Sequence, residues 1–283
     1  MNIFGLITNS RENNYCLETI RTFLQNTNLN PEDLFYVIDN DCEFELPESL
    51  NFANLRIIRN TYPKSKVCNW NKIVDFALNN KANAIFLGNK LIFTPGWFEK
   101  ISRIPNAIVS PVSNREIQYS ADNLRLGKRL SMKAYLHYRS CLPFLLREQH
   151  KLFSGIEPIL AFPFFSAFIP NQILAEVGYF DEQYGNSPGA DLDYCLRTSL
   201  RDYKICYALE AMILQLSEVN TLPKLETNST KSDTNALLFE NKWGKALTKI
   251  VIDQKIDSFL KAQNLMPAFK QKRFGEIISY LRE

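Results

Sequence analysis

Residues 164–197, FFSAFIPNQILAEVGYFDEQYGNSPGADLDYCLR, decide which fold the chain is expected to adopt. The apolar run at 164–169 predicts a strand, and the apolar spacing at 171–177 predicts a helix. A loop rich in glycine, asparagine, serine and proline leads to a second helical pattern, and Asp191 falls at its N-cap or first turn. A carboxylate at such a junction either acts as a base or only caps the helix, and the pattern alone leaves both roles open.

Short apolar runs alternate with helical patterns in the first 112 residues. The runs that predict strands cover residues 3–7, 34–38, 55–58, 84–87 and 108–112. This alternation predicts an α/β protein with a mostly parallel central sheet flanked by helices. Polar residues follow the first three runs, and ligands of such sheets bind at the carboxyl ends of the strands. The sequence therefore predicts a binding site along this edge.

The composition excludes several classes of protein. With 283 residues, 46% of them hydrophobic, the chain can form one large domain or two closely packed halves. A net charge of +3 does not indicate nucleic acid as a partner, and six cysteines without a CxxC pair indicate neither a zinc site nor a redox dithiol. There is no signal-peptide pattern and no run of about 18 apolar residues. We therefore expect a cytoplasmic protein without a transmembrane segment.

Several motifs resemble those of the family 2 glycosyltransferases, which have the GT-A fold. The matching segments are TNSR at 8–11, DN at 39–40, LIFTPGWFEKI at 91–101, AEVGYFDE at 175–182 and ADLDYCLR at 190–197. The resemblance covers roughly residues 3–112 and 160–216. It implies the GT-A fold with added C-terminal helices, and an inverting glycosyltransferase. Such an enzyme moves a sugar from a nucleotide-sugar donor to the hydroxyl group of a glycan or other acceptor, in glycan biosynthesis.

The same resemblance assigns roles to individual residues. Asp191 matches the general base that deprotonates the acceptor hydroxyl, and Asp193 and Arg197 would orient the helix or the acceptor. The implied nucleotide-binding residues are Thr8, Asn9, Arg11, Asp39, Asn40, Asn71 and Lys72, and the implied diphosphate-binding residues are Asn89 and Lys90. Taken alone, each polar residue at a strand end is explained equally well by an Asx turn or a helix cap.

The chain departs from the family at its metal site. Gly88-Asn89-Lys90 stands where the family has an Asp-x-Asp motif, Gln215 where it often has a histidine, and Ala190 where it has a glutamate. We therefore expect no metal ligands and no cofactor, although the family commonly uses Mn²⁺ or Mg²⁺. In one interpretation Lys90 supplies the missing positive charge. In the other, the site is inactive and the fold serves as a binding or scaffolding module.

The motifs also divide the chain. The predicted parts are the nucleotide-binding half at 1–112, an insert at 113–163, the acceptor half at 164–218, a mobile loop at 219–236 and C-terminal helices at 237–283. The insert either binds the acceptor or an anionic lipid carrier, or packs as ordinary helices. The polar loop predicts a lid over the donor or simple disorder. The C-terminal helices are expected to cover the sheet or to form a homodimer.

Overall fold

A computed structural model describes residues 1–9, 12–114, 130–142, 154–217, 229–252, 267–268 and 271–282, with only the backbone described at 229–236. The strands are β1 (Asn2–Thr8), β2 (Leu34–Asp39), β3 (Leu55–Arg59), β4 (Asn83–Leu87), β5 (Leu91–Phe93), β6 (Ala107–Ser113), β7 (Leu130–Ser131), β8 (Ile156–Pro158), β9 (Ser166–Ile169) and β10 (Lys204–Ser217). The helices are α1 (Asn13–Asn26), α2 (Lys66–Asn79), α3 (Trp97–Ser102), α4 (Met132–Tyr138), α5 (Asn171–Val177), α6 (Ala190–Ser199), α7 (Ser229–Val251) and α8 (Phe274–Arg282).

The strands form one sheet in the order β3-β2-β1-β4-β9-β6-β10-β5. Strands β1 to β4 are parallel, because α1 and α2 return the chain to the same edge after β1 and β3. Both faces of β1 and β4 are covered, which explains why their sequences are nearly continuous apolar runs, whereas β3, at the edge of the sheet, is only partly buried and exposes Arg56 and Arg59. The register pairs Thr8 with Asp39 and Leu6 with Leu87, so the loops after β1, β2 and β4 meet at one edge.

The second half of the sheet is mixed. Strand β9 runs antiparallel to β4 and β6, and β10 pairs in parallel with β6 and antiparallel with β5. The sequence predicts a strand only at 212–214, whereas β10 covers Lys204–Ser217. Glu210 interrupts the apolar pattern, and the pairing with β6 shifts between Ala208 and Met212. The sequence pattern of this long strand therefore indicates only a short one.

Helix α7 starts earlier than the sequence indicates. Residues 229–236, which the sequence assigns to a mobile loop at 219–236, already belong to α7 in the structure. The polar composition of this stretch suggested a loop, although an exposed end of an amphipathic helix has the same composition. The rest of the predicted lid, at 219–228, lies outside the described residues. Of the predicted insert, the structure describes β7, α4 and β8.

A buried network of charges joins α7 to α6. The Asp193 carboxylate is fully buried and accepts hydrogen bonds from Arg197 Nε (2.9 Å), Lys242 Nζ (2.9 Å) and Trp243 Nε1 (2.8 Å). Lys242 also contacts Asp181 at 2.7 Å. The network therefore fixes the first turn of α6 against the C-terminal helices. We call these residues, Asp181, Asp193, Arg197, Lys242 and Trp243, the α6 anchor.

Within the part of the chain that the structure describes, no helix is long and apolar enough to cross a membrane.

Candidate active site

A cleft of about 360 Å³ opens at the carboxyl ends of the parallel strands. Its polar lining consists of Asn9, Asn40, Lys64, Lys66, Asn69, Asn89 and Asn186, and its apolar lining includes Ile7, Trp70, Phe86 and Phe164. Among the described residues that line it there are five amides and two lysines but no carboxylate. Such a surface is complementary to an anionic ligand that offers many hydrogen-bond acceptors.

A network of asparagines forms the floor of the cleft under β2. Asn40 Oδ1 accepts hydrogen bonds from Asn60 Nδ2 (2.7 Å), Asn69 Nδ2 (2.8 Å) and the Lys64 backbone N–H (2.9 Å). Asn60 and Asn69 are buried. Because each amide fixes its neighbour, the polar groups of the floor are held in position before any ligand binds.

Two lysines stand at the β3 side of the cleft, where α2 begins. Ser65 caps α2 by accepting the Cys68 N–H at 3.1 Å, and this places Lys64 and Lys66 at the amino end of the helix. The Lys66 ammonium lies over the Trp70 ring, 4.1 Å from its centre. In the described part of the chain neither lysine has a carboxylate within 4.0 Å. Their charges add to the positive end of the helix dipole and favour an anion here.

On the β4 side of the cleft, one carboxylate accepts several hydrogen bonds. Glu12 precedes α1 and accepts hydrogen bonds from Asn9 Nδ2 at 2.8 Å and from Asn89 Nδ2. It also forms an ion pair with Lys90, with 2.6 Å between Oε1 and Nζ. Burial alone would raise the pKa of the Glu12 carboxyl, but Lys90 and the two amides outweigh burial and hold this pKa below its ordinary value. Glu12 is therefore an anion, and it neutralises Lys90.

Asp191 lies on the first turn of α6, behind the cleft wall. Gly189 precedes this turn with φ 116°, and a side chain there would collide with the Tyr184 ring, so glycine is required where the chain enters α6. Asp191 Oδ2 accepts the Phe164 N–H (3.0 Å) and Oδ1 accepts the Leu192 N–H (3.0 Å). Phe164 itself lines the cleft. The carboxylate is therefore oriented by the backbone and lies next to the cleft, with 7% of its residue surface exposed.

Only some residues that the sequence assigns to the nucleotide line the cleft. Asn9, Asn40 and Asn89 do so. Thr8 is fully buried and accepts a hydrogen bond from Cys16 Sγ, because it is the last residue of a covered strand. Asp39 is also buried, with its Oδ2 held by Arg59 Nε at 3.2 Å and by a backbone N–H.

The two α2 residues of the prediction lie elsewhere. The Asn71 side chain exchanges hydrogen bonds with the backbone of Phe180, at 2.9 and 3.0 Å, and so joins α2 to the segment before α6. Lys72 Nζ donates to Asn60, beneath the asparagine floor. Asn69 takes the place predicted for Asn71, because two residues along a helix turn by about 200° and therefore face opposite sides. Arg11 lies outside the described residues.

The remaining predictions divide between the cleft and the α6 anchor. Lys90 lies beside the cleft but is already paired with Glu12. Asp193 and Arg197 both belong to the α6 anchor, and Arg197 also donates to the carbonyls of Val177 and Tyr179. We therefore find no free group on Asp193 for an acceptor. The sequence did not identify five polar residues in or beside the cleft, because they lie in none of the family motifs: Glu12, Lys64, Lys66, Asn69 and Asn186.

Solved structures share this architecture, whereas no family model and no curated protein matches the chain. A crystal structure of GalNAc-T7 with UDP, GalNAc and Mn²⁺ superposes with a TM-score of 0.56 at 10% identity, over 78% of this chain and 44% of that chain. The mannosyltransferase PcManGT from Pyrobaculum calidifontis, in complex with GDP-Man and Mn²⁺, superposes with a TM-score of 0.52 at 11% identity, over 99% of this chain and 69% of that one. The chain thus spans less than half of the first neighbour. The predicted GT-A fold is confirmed.

The comparison corrects the expectation that no cofactor is used. Both neighbours contain Mn²⁺, which contradicts a prediction drawn from the residues that stand in place of the acidic motif, the histidine and the glutamate of the family. Glu12 also cancels the charge that, in one of the two interpretations, Lys90 supplies in place of a metal. Across the described ranges, no three His, Cys, Asp or Glu side chains converge to hold a cation by themselves.

Proposed function

We propose that the chain is a glycosyltransferase that moves a sugar from a nucleotide-sugar donor to an acceptor hydroxyl group, with inversion. The observation that carries the proposal is the pairing of an amide- and lysine-lined cleft with the oriented carboxylate of Asp191 directly behind its wall. The GT-A fold, shared with two sugar-transferring neighbours, supports the same conclusion. A place in glycan biosynthesis belongs to the proposal through the resemblance of the sequence motifs to those of family 2 glycosyltransferases.

The donor is proposed to lie across the ends of β2, β1 and β4. Neighbouring strands are about 4.8 Å apart, so this edge is long enough for a nucleoside and its diphosphate. The nucleoside would contact Asn40, Asn69 and the lysine side of the cleft, which offers donors to carbonyl and hydroxyl oxygens. The diphosphate would lie near Asn9 and Asn89.

Asp191 is proposed to be the catalytic base. Its carboxylate would take the proton of the acceptor hydroxyl while the oxygen attacks the anomeric carbon. The bond from that carbon to the diphosphate oxygen breaks on the opposite face, and the leaving nucleoside diphosphate keeps the electron pair. Two backbone N–H groups hold the carboxylate in one orientation, so it needs no rearrangement before it accepts the proton.

A divalent cation is part of the proposal, since both neighbours contain Mn²⁺. Bound with the donor, such a cation would neutralise the negative charge that develops on the leaving diphosphate. The chemistry of the available oxygens fits this role: Glu12 offers a carboxylate and Asn89 an amide oxygen. Cations of this type are often held by one or two carboxylates together with substrate phosphates and water.

Calorimetric titration with UDP, GDP, dTDP and CMP, each with Mn²⁺ and with EDTA, tests the proposed function. We expect one nucleotide to bind, and the double variant Lys64→Gln/Lys66→Gln to bind it roughly 10-fold more weakly, because two cations leave the cleft edge. Lys81→Gln is the matched control, since Lys81 is exposed just before β4, at the opposite edge of the sheet. No binding of any nucleotide to the unaltered protein would contradict the function.

A further inference from the structure

We propose that Glu12 is the protein's carboxylate ligand for the donor-bound divalent cation. This inference rests on the proposed function and deepens it. The acidic motif of the resembled family would lie after β4, where this chain has Asn89 and Lys90. Glu12 comes instead from the loop after β1, and the pairing of Leu6 with Leu87 brings that loop beside the end of β4. A carboxylate from a different loop thus reaches the place where the motif is missing.

The contacts of Glu12 identify it as the acidic group of the diphosphate region. Its oxygens accept from Asn9 at 2.8 Å, from Asn89 and from Lys90 at 2.6 Å. Asn9 and Asn89 line the cleft, and the Glu12 side chain keeps 20% of its surface exposed. The carboxylate is therefore within reach of a ligand that enters beside these two amides.

The Lys90 ammonium marks where a cation lies against this carboxylate. It stands 2.6 Å from Glu12 Oε1, and 25% of its side-chain surface is exposed, so it can leave along a flexible stem. A smaller, doubly charged ion in the same place would be held by the same Glu12 oxygen. Lys90 would then be released toward the phosphates.

The charges of Glu12, Lys90 and the diphosphate favour a bound divalent cation once the donor has entered the cleft. Without donor, Glu12 and Lys90 cancel. A nucleotide diphosphate that enters beside Glu12 brings anionic oxygens close to a carboxylate, and like charges within about 4 to 6 Å repel. A divalent cation between Glu12 and the phosphates turns this repulsion into attraction on both sides. A cation ligand is thus a role that accounts for a carboxylate beside a cleft whose polar lining consists of amides and lysines.

In the alternative role, Glu12 is only a counter-ion for Lys90. The two roles predict different effects of Glu12→Gln on how much Mn²⁺ strengthens nucleotide binding. As a cation ligand, Glu12 is needed for Mn²⁺ to strengthen nucleotide binding. As a counter-ion, it competes with the phosphates for Lys90 and the amides, so its removal would strengthen binding equally with and without Mn²⁺.

The experiment measures how much Mn²⁺ strengthens the binding of UDP and GDP, by calorimetry with Mn²⁺ and with EDTA. The Mn²⁺ held in the complex is counted by the electron paramagnetic resonance signal of the free ion. In Glu12→Gln we expect the Mn²⁺-dependent gain in affinity to fall about 10-fold or more, the scale seen when metal sites lose supporting groups. Binding in EDTA should stay equal or improve. The control Glu45→Gln, an exposed carboxylate in the segment after β2, should keep the full gain.

Lys90→Met gives an independent test that keeps Glu12. Because it removes only the competing ammonium, the Mn²⁺-dependent gain should stay the same or grow. A full gain in Glu12→Gln, or a lost gain in Lys90→Met, would overturn the assignment while leaving the proposed function intact. Failure of the unaltered protein to bind any nucleotide would instead overturn both.

Discussion

Asp191 and Asp193 lie two residues apart on the same turn of α6, yet their surroundings differ completely. Asp193 is fully buried and is held by two cations and an indole N–H. Asp191 is held only by backbone N–H groups, and among the described residues no lysine or arginine lies within 4.0 Å of it. Arg197 and Lys242 neutralise the Asp193 carboxylate as part of the fold, whereas no cationic side chain among the described residues neutralises Asp191.

The two aspartates on this turn are therefore suited to different roles, Asp193 to stabilising the fold and Asp191 to accepting a proton. A carboxylate that is paired in the core cannot leave its partners without a large cost, so Asp193 is a poor base. A carboxylate that is oriented but not neutralised, and that adjoins a cleft, is suited to accept a proton. The α6 anchor keeps the turn rigid and thereby holds Asp191 in place.

The largest expected effect is the loss of sugar transfer in Asp191→Asn. The amide cannot take a proton, so turnover should fall about 100- to 10,000-fold, the usual contribution of general base catalysis. Nucleotide affinity should stay close to that of the unaltered protein, whereas the free energy of unfolding should fall by about 1 to 3 kcal/mol, because the amide nitrogen cannot accept one of the two backbone N–H groups that hold the carboxylate. Transfer measured by release of nucleoside diphosphate checks the prediction, and turnover within a factor of three would remove Asp191 from the mechanism.

Asp193→Ala should instead destabilise the fold. It leaves Arg197 and Lys242 without a buried partner, which costs about 3 kcal/mol of the free energy of unfolding. Because Trp243 donates to this carboxylate, its fluorescence should change in the folded protein as well. Denaturant unfolding measures the cost. A normal midpoint combined with lost turnover would reverse the roles of the two aspartates.

Asn71→Ala and Asn69→Ala compare opposite faces of α2. Asn71→Ala leaves the Phe180 N–H and C=O unpaired in the interior and should cost about 1 to 3 kcal/mol of stability. Nucleotide affinity should hardly change. Asn69→Ala removes an amide that lines the cleft, so this variant, unlike Asn71→Ala, should weaken nucleotide binding several-fold. Equal effects on binding would mean that the cleft is not the nucleotide site.

Lys242→Met should have the smallest effect. Lys242 pairs with Asp181 and Asp193, but 30% of its side-chain surface is exposed, so solvent screens the interaction and the expected cost is about 1 kcal/mol. Thermal unfolding at low and high salt measures it, and the cost should shrink at high salt. A cost as large as that of Asp193→Ala would show that the anchor depends on the lysine as much as on the buried carboxylate.

The fold follows from the sequence to a large extent. The alternation of short apolar runs with helical patterns predicted β1 to β4 and a mostly parallel sheet, and these four strands are parallel in the structure. The turn carrying Asp191 was predicted from its glycine-rich loop, and Asp191 does lie on the first turn of α6. Strand β10 was predicted only in part, because its shift in pairing interrupts the apolar pattern.

The site follows less well, because its geometry depends on contacts that are distant in sequence. Whether Asn69 or Asn71 faces the cleft depends on the rotation of α2 about its axis, which the packing of its apolar face in the core determines. The role of Asp193 depends on Lys242, 49 residues further along the chain, in α7. Glu12 lies in no motif, and only the pairing of β1 with β4 brings it to Lys90.

A crystal structure of the protein with UDP or GDP and Mn²⁺ tests the central claim most directly. We expect the nucleotide in the cleft, with its diphosphate against Asn9 and Asn89 and its terminal phosphate on the side of Asp191. Mn²⁺, identified by its anomalous scattering, should lie between the phosphates and Glu12. An empty cleft at saturating nucleotide, or a nucleotide bound elsewhere, would contradict the assignment of this cleft as the donor site.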